Sequence, residues 1–429
     1  MRYLPHTEED RAEMLKKIGV KNVDELFSAV PKDVKMNPDL NLPTTQTEAE
    51  VEKYMRALAC KNHSSNDGPF FLGAGCYNHH IPATVDYIIQ RSEFLTSYTP
   101  YQPEVSQGTL TVIFEFQSII ATLTGMQIAN ASMYDGATAV AEAALMAKRI
   151  KQRANVAIHG ELHPHYFETL KTYKKHIGGH VQGSEPDDTT ACLIVQYPDF
   201  HGNIPNLEEL RKKCDAAGCL MVVVVTEIVA LGLLPAPAMA DIVCGEGQSI
   251  GVGLQFGGPH VGFFATKKEY LRQMPGRLCG ATVDADGKRS FVLTLSTREQ
   301  HIRREKATSN ICTNVGLMAT AFTVHMGLLG ETGFKQLAQL NHQKACELAD
   351  ALEAAGFKIE IKNFFNEFVV QLTTDAKKTV KDLAKKGIIA GYALDGNKLL
   401  VNATETTSSE DIRRLVAELG TQTKIKEVA

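Results

Sequence analysis

The sequence predicts an α/β fold in which a mostly parallel central sheet is followed by a small C-terminal α+β domain and preceded by an N-terminal helical arm. Between residues 107 and 300, short runs rich in Val, Ile and Phe alternate with helical patterns, as in a parallel sheet covered on both faces. Beyond residue 313 the order of helices and strands changes, and the first 70 residues carry helical patterns. We therefore expect an arm at 1–70, a large α/β domain at 71–312, and a linking helix with the small domain at 313–429.

Three helices are predicted in the arm. The first follows Thr7, the second starts at Asn22 and ends at Pro31, and the third covers 44–61. One face of the third helix is apolar, with residues at helical spacing: Val51, Tyr54, Met55 and Leu58. An arm with so little core must pack on its own large domain or on a partner subunit.

The two domains are predicted element by element. Large-domain helices are expected at 110–123, 139–150, 164–176 and 207–217, and strands at 156–158, 192–195, 220–225, 242–244, 261–265 and 291–295. The remaining segments are predicted as helices at 313–330, 334–354, 377–385 and 409–419, and strands at 357–361, 367–372 and 399–402. A parallel sheet with right-handed crossovers binds ligands at the carboxyl ends of its strands.

Composition excludes several classes of function. With 22% charged and 44% apolar residues, the 429-residue chain has an ordinary soluble composition. Its net charge of −4 argues against a nucleic-acid-binding protein. No apolar run approaches the ~18–20 residues that span a bilayer, and the nine cysteines lack a metal or disulfide spacing. We expect a cytoplasmic protein that binds neither membranes nor nucleic acid.

Residues 214–266 have the outline of a pyridoxal phosphate (PLP) cradle without its lysine. The strand at 220–225 is followed by Glu227, and the strand at 242–244 runs into a glycine-rich loop that contains Gln248. PLP enzymes place a Schiff-base lysine near such a loop, and an amide cannot form an imine. Between Cys214 and Thr266 there is no lysine or arginine, the residues that usually recognise phosphate.

A loop with two prolines at 97–108 carries the side chains Tyr98, Tyr101 and Glu104. Such a stiff loop can deliver phenol hydroxyls and a carboxylate into a pocket with little loss of entropy. The alternative is an ordinary packed surface loop before a helix.

Two further positions belong to the possible cradle. Asp135 stands at the predicted N-cap of the Ala-rich helix, where its carboxylate would occupy the amides that could otherwise bind phosphate. His163 lies in a run with three histidines, HGELHPH, whose spacing fits no helical pair of metal ligands. We expect no metal there or at His79 and His80, and we expect the His163 ring to stack on a flat ligand or an aromatic side chain.

The charged segment 297–312 includes Arg298, Arg303, Arg304 and Lys306. Its ordinary interpretation is a solvated, salt-bridged helix face, and residues 308–310 then read as the N-cap of the following helix. Lys306 is the one lysine of this segment that suggests Schiff-base chemistry, although it follows the sheet instead of ending a strand within it.

Five segments, in this order, resemble the glycine cleavage system P protein family. They are YTPYQPEVSQG at 98–108, MYDGATAVAEAA at 133–144, FGGPHVGFFA at 256–265, MPGRLCG at 274–280 and TREQHIRREKATSNICT at 297–313. The resemblance covers nearly the whole chain. It is closest to the amino-terminal half of a one-chain P protein, which some bacteria and archaea encode separately as subunit 1, or alpha.

The resemblance implies a fold type I PLP-dependent transferase architecture and a second, beta subunit in an α2β2 assembly. It implies that PLP is attached to a lysine of beta, that glycine is decarboxylated there, and that the aminomethyl group passes to lipoamide on H protein. This chain would then have no catalytic residue of its own. Tyr98, Tyr101 and Glu104 would reach toward the glycine pocket of beta.

By the same resemblance, the positions Asp135, His163, Glu227 and Gln248 are vestiges of a cofactor cradle. Glu227 corresponds in role to the aspartate that pairs with the pyridinium nitrogen in active PLP subunits. Two alternatives remain open: a self-sufficient PLP aminotransferase or decarboxylase that uses Lys306, and a non-catalytic scaffold that docks H protein.

Overall fold

The structure is a computed structural model that describes residues 5–35 and 41–428. The chain forms two compact units, one ending at Asn62 and the other starting at His63. Across the described residues, no helix is both long enough and apolar enough to cross a bilayer.

The first unit contains helix α1 (Glu8–Ile18), a 3₁₀ helix (Val23–Phe27) and helix α2 (Glu48–Ala59). Capping boxes at Thr7 and Thr47 bind the free amides of the first turns of α1 and α2. The predicted helices are confirmed, but the second is a short 3₁₀ turn and the third begins four residues later than predicted. None of the three helices contains a buried residue.

The second unit begins with helices and strands in alternation. Its helices up to residue 303 are α3 (Ala83–Ile89), α4 (Ser92–Leu95), α5 (Gln107–Thr124), α6 (Gly136–Lys151), α7 (Pro164–Lys174), α8 (Leu207–Ala217) and α9 (Gln300–Arg303). Its strands are β1 (Ile128–Ala129), β2 (Asn155–His159), β3 (Val181–Gln182), β4 (Thr190–Gln196), β5 (Leu220–Val225), β6 (Ile242–Glu246), β7 (Gly262–Thr266), β8 (Leu278–Val283) and β9 (Arg289–Thr294).

Strands β1 to β7 form one sheet in the order β1-β7-β6-β5-β4-β2-β3. Neighbours from β3 to β6 are parallel, whereas β7 runs antiparallel to both β6 and β1. Along β5, Val223 and Val225 face one apolar cluster with Phe116 and Phe322, while the alternate valines face a second cluster that includes Met146. Because both faces are covered, the central strands are continuously apolar, and the mostly parallel sheet predicted from that pattern is confirmed.

The predicted strand at 291–295 is not part of this sheet. It forms β9, which pairs only with β8 in an antiparallel hairpin closed by a turn at Gly287. Phe291 packs against Leu110 and Ile113 of α5. The strand itself is confirmed, but its assignment to the central sheet was wrong, because an apolar run of this length does not reveal its partner.

The C-terminal part is an α+β domain, as predicted. Its elements are α10 (Gly316–Ala354), β10 (Lys358–Ile359), β11 (Glu367–Gln371), α11 (Ala376–Ala384), β12 (Tyr392–Ala393), β13 (Lys398–Asn402) and α12 (Ser409–Val428). The four strands form an antiparallel sheet in the order β10-β11-β13-β12. Helix α10 is interrupted at Gly330, where φ is 58° and ψ is −172°, and this break matches the gap between the two predicted helices.

The chain contacts the small domain before it enters the large one. Phe71 N donates to Ile389 O at 2.7 Å, and Asn402 N donates to Phe71 O at 2.9 Å. The Phe71 side chain belongs to the small-domain core. The domain limits at 71 and 313 remain predictions.

For residues 297–313, the expected N-cap was wrong, and the expected solvated face was wrong for Arg298, whereas Arg303, Arg304 and Lys306 are exposed. Helix α10 begins at Gly316 without a side-chain cap, and Ser309 Oγ instead accepts from Ile311 N in a local turn. Arg298 is buried and donates to the carbonyls of Met274, Gly276 and Leu295. It therefore organises a turn and does not lie on a solvated helix face.

Gly251 is required where the loop after β6 crosses α10. Its φ is +85°, and an added Cβ would lie 2.4 Å from Ala321 O. We expect Gly251→Ala to lower the free energy of unfolding by more than the ~1–3 kcal/mol cost of a strained backbone alone. Gly287→Ala is the matched control, since Gly287 has φ +77° but open space around its Cβ position. Urea unfolding of both variants measures the difference, and equal losses would contradict the close-contact explanation.

Candidate functional site

The carboxyl ends of β5 and β6 and the start of α6 form the cradle predicted from the sequence. Glu227 follows β5 and Gln248 follows β6, while Asp135 precedes α6 and His163 precedes α7. Because β2, β4, β5 and β6 are parallel, the segments after them reach the same edge of the sheet. The residues 73–80, GAGCYNHH, cross this edge, and we call them the cover segment.

Gln248 is buried and its amide is fully used within the chain. Its Oε1 accepts from Tyr77 N at 3.3 Å, and its Nε2 donates to Val252 O at 2.5 Å and to Tyr77 O at 3.5 Å. The amide thus joins the glycine-rich loop to the cover segment through both a donor and an acceptor. A lysine has no acceptor atom and could not bind Tyr77 N in this way.

The N-terminus of α6 is occupied by two carboxyl groups. Asp135 is the N-cap, as predicted, and its Oδ1 accepts from Thr138 N at 2.7 Å. Glu246 Oε2 accepts from Gly136 N at 3.0 Å, and its Oε1 accepts from the amides of Gln248 and Val261. Two helix amides that could bind a phosphate, those of Gly136 and Thr138, are therefore already used by acidic side chains.

Glu246 was missed by sequence reasoning. Burial raises the pKa of Glu246, against the opposing charge of His260, whose Nδ1 lies 3.6 Å from Glu246 Oε2. The sequence did contain a signal for Glu246, which is an acidic residue at the end of an otherwise apolar strand. A buried carboxyl group at such a position needs hydrogen-bond donors.

Glu227 is paired with a cation from its own chain. His79 Nε2 lies 3.0 Å from Glu227 Oε2, and His79 Nδ1 lies 2.9 Å from Glu405 Oε2. Burial alone lowers the pKa of His79, but the carboxylates of Glu227 and Glu405 outweigh burial and raise that pKa to about 10. His79 is therefore an imidazolium at neutral pH that donates to both carboxylates, a bridge that we call the His79 bridge.

The His79 bridge connects the central sheet to the small domain. Burial favours the neutral form of Glu405, yet the charge of His79 lowers the pKa of Glu405 to about 2. Asn341 of α10 also donates to Glu405, and Asn366 lies within 3.4 Å of Glu227. Sequence reasoning considered His79 only as an unsupported metal ligand and did not detect either contact.

His163 stacks on aromatic side chains, as predicted. Its ring centroid lies 4.8 Å from that of Tyr166 and 5.0 Å from that of Phe200. Nε2 donates to Ala74 O at 2.8 Å while Nδ1 accepts from His165 N, so the ring is neutral, consistent with burial lowering its pKa to about 4. Gly75 has φ +90°, and a Cβ there would lie 2.6 Å from the ring, so the cover segment passes directly against His163.

Glu367 of β11 holds the cover segment from the small-domain side. Its carboxyl group accepts from Ala74 N at 2.6 Å and from Tyr77 Oη at 2.9 Å. Burial raises the pKa of Glu367 to about 7. Sequence reasoning missed this residue because it lies almost three hundred positions away from its partners.

These residues do not fit PLP. The cover segment contacts His163, Glu227 and Gln248, which are three of the four predicted cradle positions, and Asp135 with Glu246 fills the helix N-terminus that forms the fourth. No amine stands where the Schiff-base lysine would be needed. The chain's own residues therefore occupy these four positions, and a cavity of about 300 Å³ remains between Gln248, Gly73 and the glycine-rich loop.

The loop with two prolines at 97–108, which we call the aromatic loop, exposes its predicted site residues to solvent. Tyr98 is 76% exposed and Tyr101 is 60% exposed, and Glu104 is exposed in the 3₁₀ helix Pro103–Val105. The structure therefore brings together Asp135, His163, Glu227 and Gln248 at the sheet edge, and it places the three loop residues on the surface.

Lys306 lies in an exposed 3₁₀ turn, Arg304–Lys306, on the segment that leads out of the large domain. In residues 5–35 and 41–428, no group of three or more His, Cys, Asp or Glu side chains could hold a metal ion.

Comparison with known proteins shows the family of the chain. A family model described as "Glycine cleavage system P-protein" matches residues 1–419. The chain belongs to this family. P-protein relatives named "Probable glycine dehydrogenase (decarboxylating) subunit 1" include one from Maricaulis maris, 52% identical over 96% of this chain and 98% of its own length. Another, from Caulobacter vibrioides, is 54% identical over 96% of this chain and 97% of its own.

Solved structures extend the P-protein comparison to the fold. The crystal structure of a glycine decarboxylase (P-protein) of the glycine cleavage system in inhibitor-bound form superposes with a TM-score of 0.90 at 40% identity, covering 98% of this chain and all (100%) of that one. A glutamate decarboxylase from Lactobacillus brevis gives a TM-score of 0.66 at 12% identity over 92% of this chain and 96% of its own, and shares the fold alone. The predicted fold type I architecture is thus confirmed.

Removing His79 should strongly destabilise the protein, because it leaves two buried carboxylates without their cation. We expect His79→Phe to lower the free energy of unfolding by about 3–5 kcal/mol at pH 7, measured by urea unfolding. The matched control is His80→Phe, since the His80 side chain is exposed and only its backbone N–H binds Glu405. The control should change stability by less than ~0.5 kcal/mol.

The stability gap between the wild type and His79→Phe should also depend on pH. The pKa of His79 rises from 6.5 to about 10 on folding, so the stabilisation is complete below pH 6.5 and is lost as pH rises toward 10. Urea unfolding at intervals between neutral pH and pH 10 should therefore show a narrowing gap. A gap that stays constant over this range would contradict an imidazolium at position 79.

Restoring the lysine alone should not restore cofactor binding. We expect Gln248→Lys to take up no PLP at position 248, because the cover segment and the two carboxyl groups at α6 still occupy the cradle positions. Incubation with PLP, borohydride reduction and peptide mapping provide the measurement, with wild type as the background control. Specific labelling at position 248 would show that the missing amine was the sole obstacle.

Proposed function

We propose that this chain is the PLP-free alpha subunit of the glycine decarboxylase of the glycine cleavage system. Membership of the P-protein family supports this, as does the name of the relatives, in which "subunit 1" implies a second subunit. The occupied cradle positions also favour it, because a chain without a Schiff-base lysine at the cradle needs a partner that supplies one. By itself the chain would be inactive.

The proposed partner, beta, carries PLP and its lysine in an α2β2 heterotetramer in the cytoplasm. The complete enzyme decarboxylates glycine, releases CO2 and transfers the aminomethyl group to the lipoamide of H protein. In this division of roles, the alpha subunit binds and shapes the site, and the cofactor supplies the electron sink for decarboxylation.

The observation that carries the proposed role is the exposed aromatic loop. Tyr98 and Tyr101 share it with Val105, which is 80% exposed, and all three lie within eight residues of sequence. Aromatic side chains concentrated in this way are typical of protein interfaces, where burial by a partner offsets the cost of exposure. We propose that beta covers this loop and that the loop completes its glycine pocket.

The chemistry of the loop suits glycine. The phenol hydroxyls of Tyr98 and Tyr101 can donate hydrogen bonds to a carboxylate, and the carboxylate of Glu104 can attract an ammonium group. A self-sufficient enzyme based on Lys306 is not favoured, because that side chain lies in an exposed turn and the cradle position holds Gln248.

Removing one loop contact should lower activity without unfolding the protein. We expect Tyr101→Phe and Glu104→Gln each to reduce glycine–CO2 exchange by about 10- to 100-fold in the complex reconstituted with beta, as expected for loss of a hydrogen bond to a charged group. Tyr87→Phe, on another exposed tyrosine, serves as the control and should leave exchange unchanged.

Other outcomes separate the alternatives. Unchanged exchange with weakened binding of H protein would favour the docking scaffold. Borohydride-stable labelling of Lys306 in the isolated chain would favour the self-sufficient PLP enzyme.

A further inference from the structure

A buried arginine lies beneath the exposed loop. The Arg277 side chain is only 4% exposed and lies just ahead of β8. We infer that Arg277 is a positioning residue that fixes Tyr101 and directs its hydroxyl proton outward, toward an anionic group in the partner's active site. This inference rests on the proposed function and deepens it.

All five N–H groups of Arg277 have acceptors. Nε donates to Glu299 Oε2 at 3.3 Å, and Nη1 donates to Thr99 Oγ1 at 2.8 Å and to Thr313 Oγ1. Nη2 donates to Tyr101 Oη at 3.2 Å and to Cys312 O at 3.0 Å. A planar guanidinium can satisfy this set in one rigid geometry, which the point charge of a lysine cannot reproduce.

These contacts join three separate pieces of chain. Thr99 and Tyr101 belong to the aromatic loop, Cys312 and Thr313 lie ahead of α10, and Glu299 precedes α9. The guanidinium carbon also lies 5.4 Å from the centroid of the Tyr101 ring. The loop is therefore held by its backbone neighbours and, in addition, by a buried cation at its centre.

The cation is itself supported from both sides. Glu299 is buried and balances its charge. Arg298 donates to the carbonyl of Gly276, the residue immediately before Arg277, and so fixes the turn from which Arg277 extends. Because its charge is balanced and its backbone is fixed, Arg277 has little freedom to move. We therefore infer that Arg277 determines the position of the loop.

The direction of one hydrogen bond determines what Tyr101 can offer. Arginine can only donate, so Tyr101 Oη must accept from Nη2. The hydroxyl proton of Tyr101 then points away from the cation, and with the side chain 60% exposed it is available to an acceptor from outside this chain. A carboxylate, such as that of an amino acid substrate, is the class of acceptor that this donor suits.

The test is a double-mutant cycle in the complex reconstituted with beta. We expect Arg277→Gln and Tyr101→Phe each to raise the KM for glycine in CO2 exchange by about 10-fold or more, with a smaller change in kcat. The double variant should be no worse than the more severe single variant, because Arg277 acts through Tyr101. Arg289→Gln, on an exposed arginine of β9, is the matched control and should leave both constants unchanged.

A second measurement does not depend on the activity. Amide hydrogen exchange of residues 97–106 in the purified full chain should be faster in Arg277→Gln and Arg277→Lys than in wild type or Tyr101→Phe. If Arg277→Gln fails to fold, Arg277→Lys, which keeps the charge beside Glu299, provides the same comparison. If a folded Arg277 variant shows the same amide hydrogen exchange at residues 97–106 as the wild type, the inference is overturned.

The two measurements distinguish failure of the inference from failure of the proposed function. One outcome is that Tyr101→Phe lowers activity while the effects of Arg277→Gln and Tyr101→Phe on the KM for glycine are additive in the double variant. In that case Arg277 does not act through Tyr101, and the inference alone is overturned. If the loop loosens but neither substitution affects glycine–CO2 exchange, the proposed role of the loop fails and the inference falls with it.

Discussion

The His79 bridge is the interaction on which the rest of this structure depends. An imidazolium held between Glu227 and Glu405 neutralises two carboxylates that burial would otherwise make very costly. The same contact draws the cover segment across the sheet edge and ties it to the small domain. With His79 in place, Tyr77 meets the Gln248 amide and Gly75 meets the His163 ring. The Glu227 carboxylate, which we predicted to correspond to the partner of a pyridinium nitrogen, thus has a protonated nitrogen from its own chain.

Arg277 is a second buried cation, and it organises an exposed surface loop instead of the interior. His79 ties the cover segment to the sheet edge and to the small domain, whereas Arg277 holds the exposed loop that we propose contacts another chain. Both cations are held by several acceptors and both join segments that are distant in sequence. The proposed function follows from this contrast: a fold type I subunit whose own cradle positions are occupied retains the architecture and contributes its surface to the site of a partner.

Elements defined by local pattern were predicted well. Strand β5 reads as an unbroken apolar run because both of its faces are covered, and the cap at Asp135 follows from its place before an Ala-rich helix. Elements whose identity depends on contacts with a distant segment were predicted poorly. Strand β9 was assigned to the wrong sheet, and Arg298 was read as a surface charge, because its three carbonyl acceptors lie in turns that the sequence does not mark. The cradle positions were identified, but what fills them was not.

The sequence by itself determined that residues 214–266 contain no lysine, so the predicted cradle segment offers no amine for an imine. Only the tertiary structure decided that the cover segment contacts the cradle positions and that Tyr101 Oη accepts from the buried Arg277. Gln248 and Tyr77 are 171 positions apart, and His79 and Glu227 are 148 apart. Contacts at such separations arise from the packing of the whole sheet against the small domain, and no local pattern of residue types encodes them.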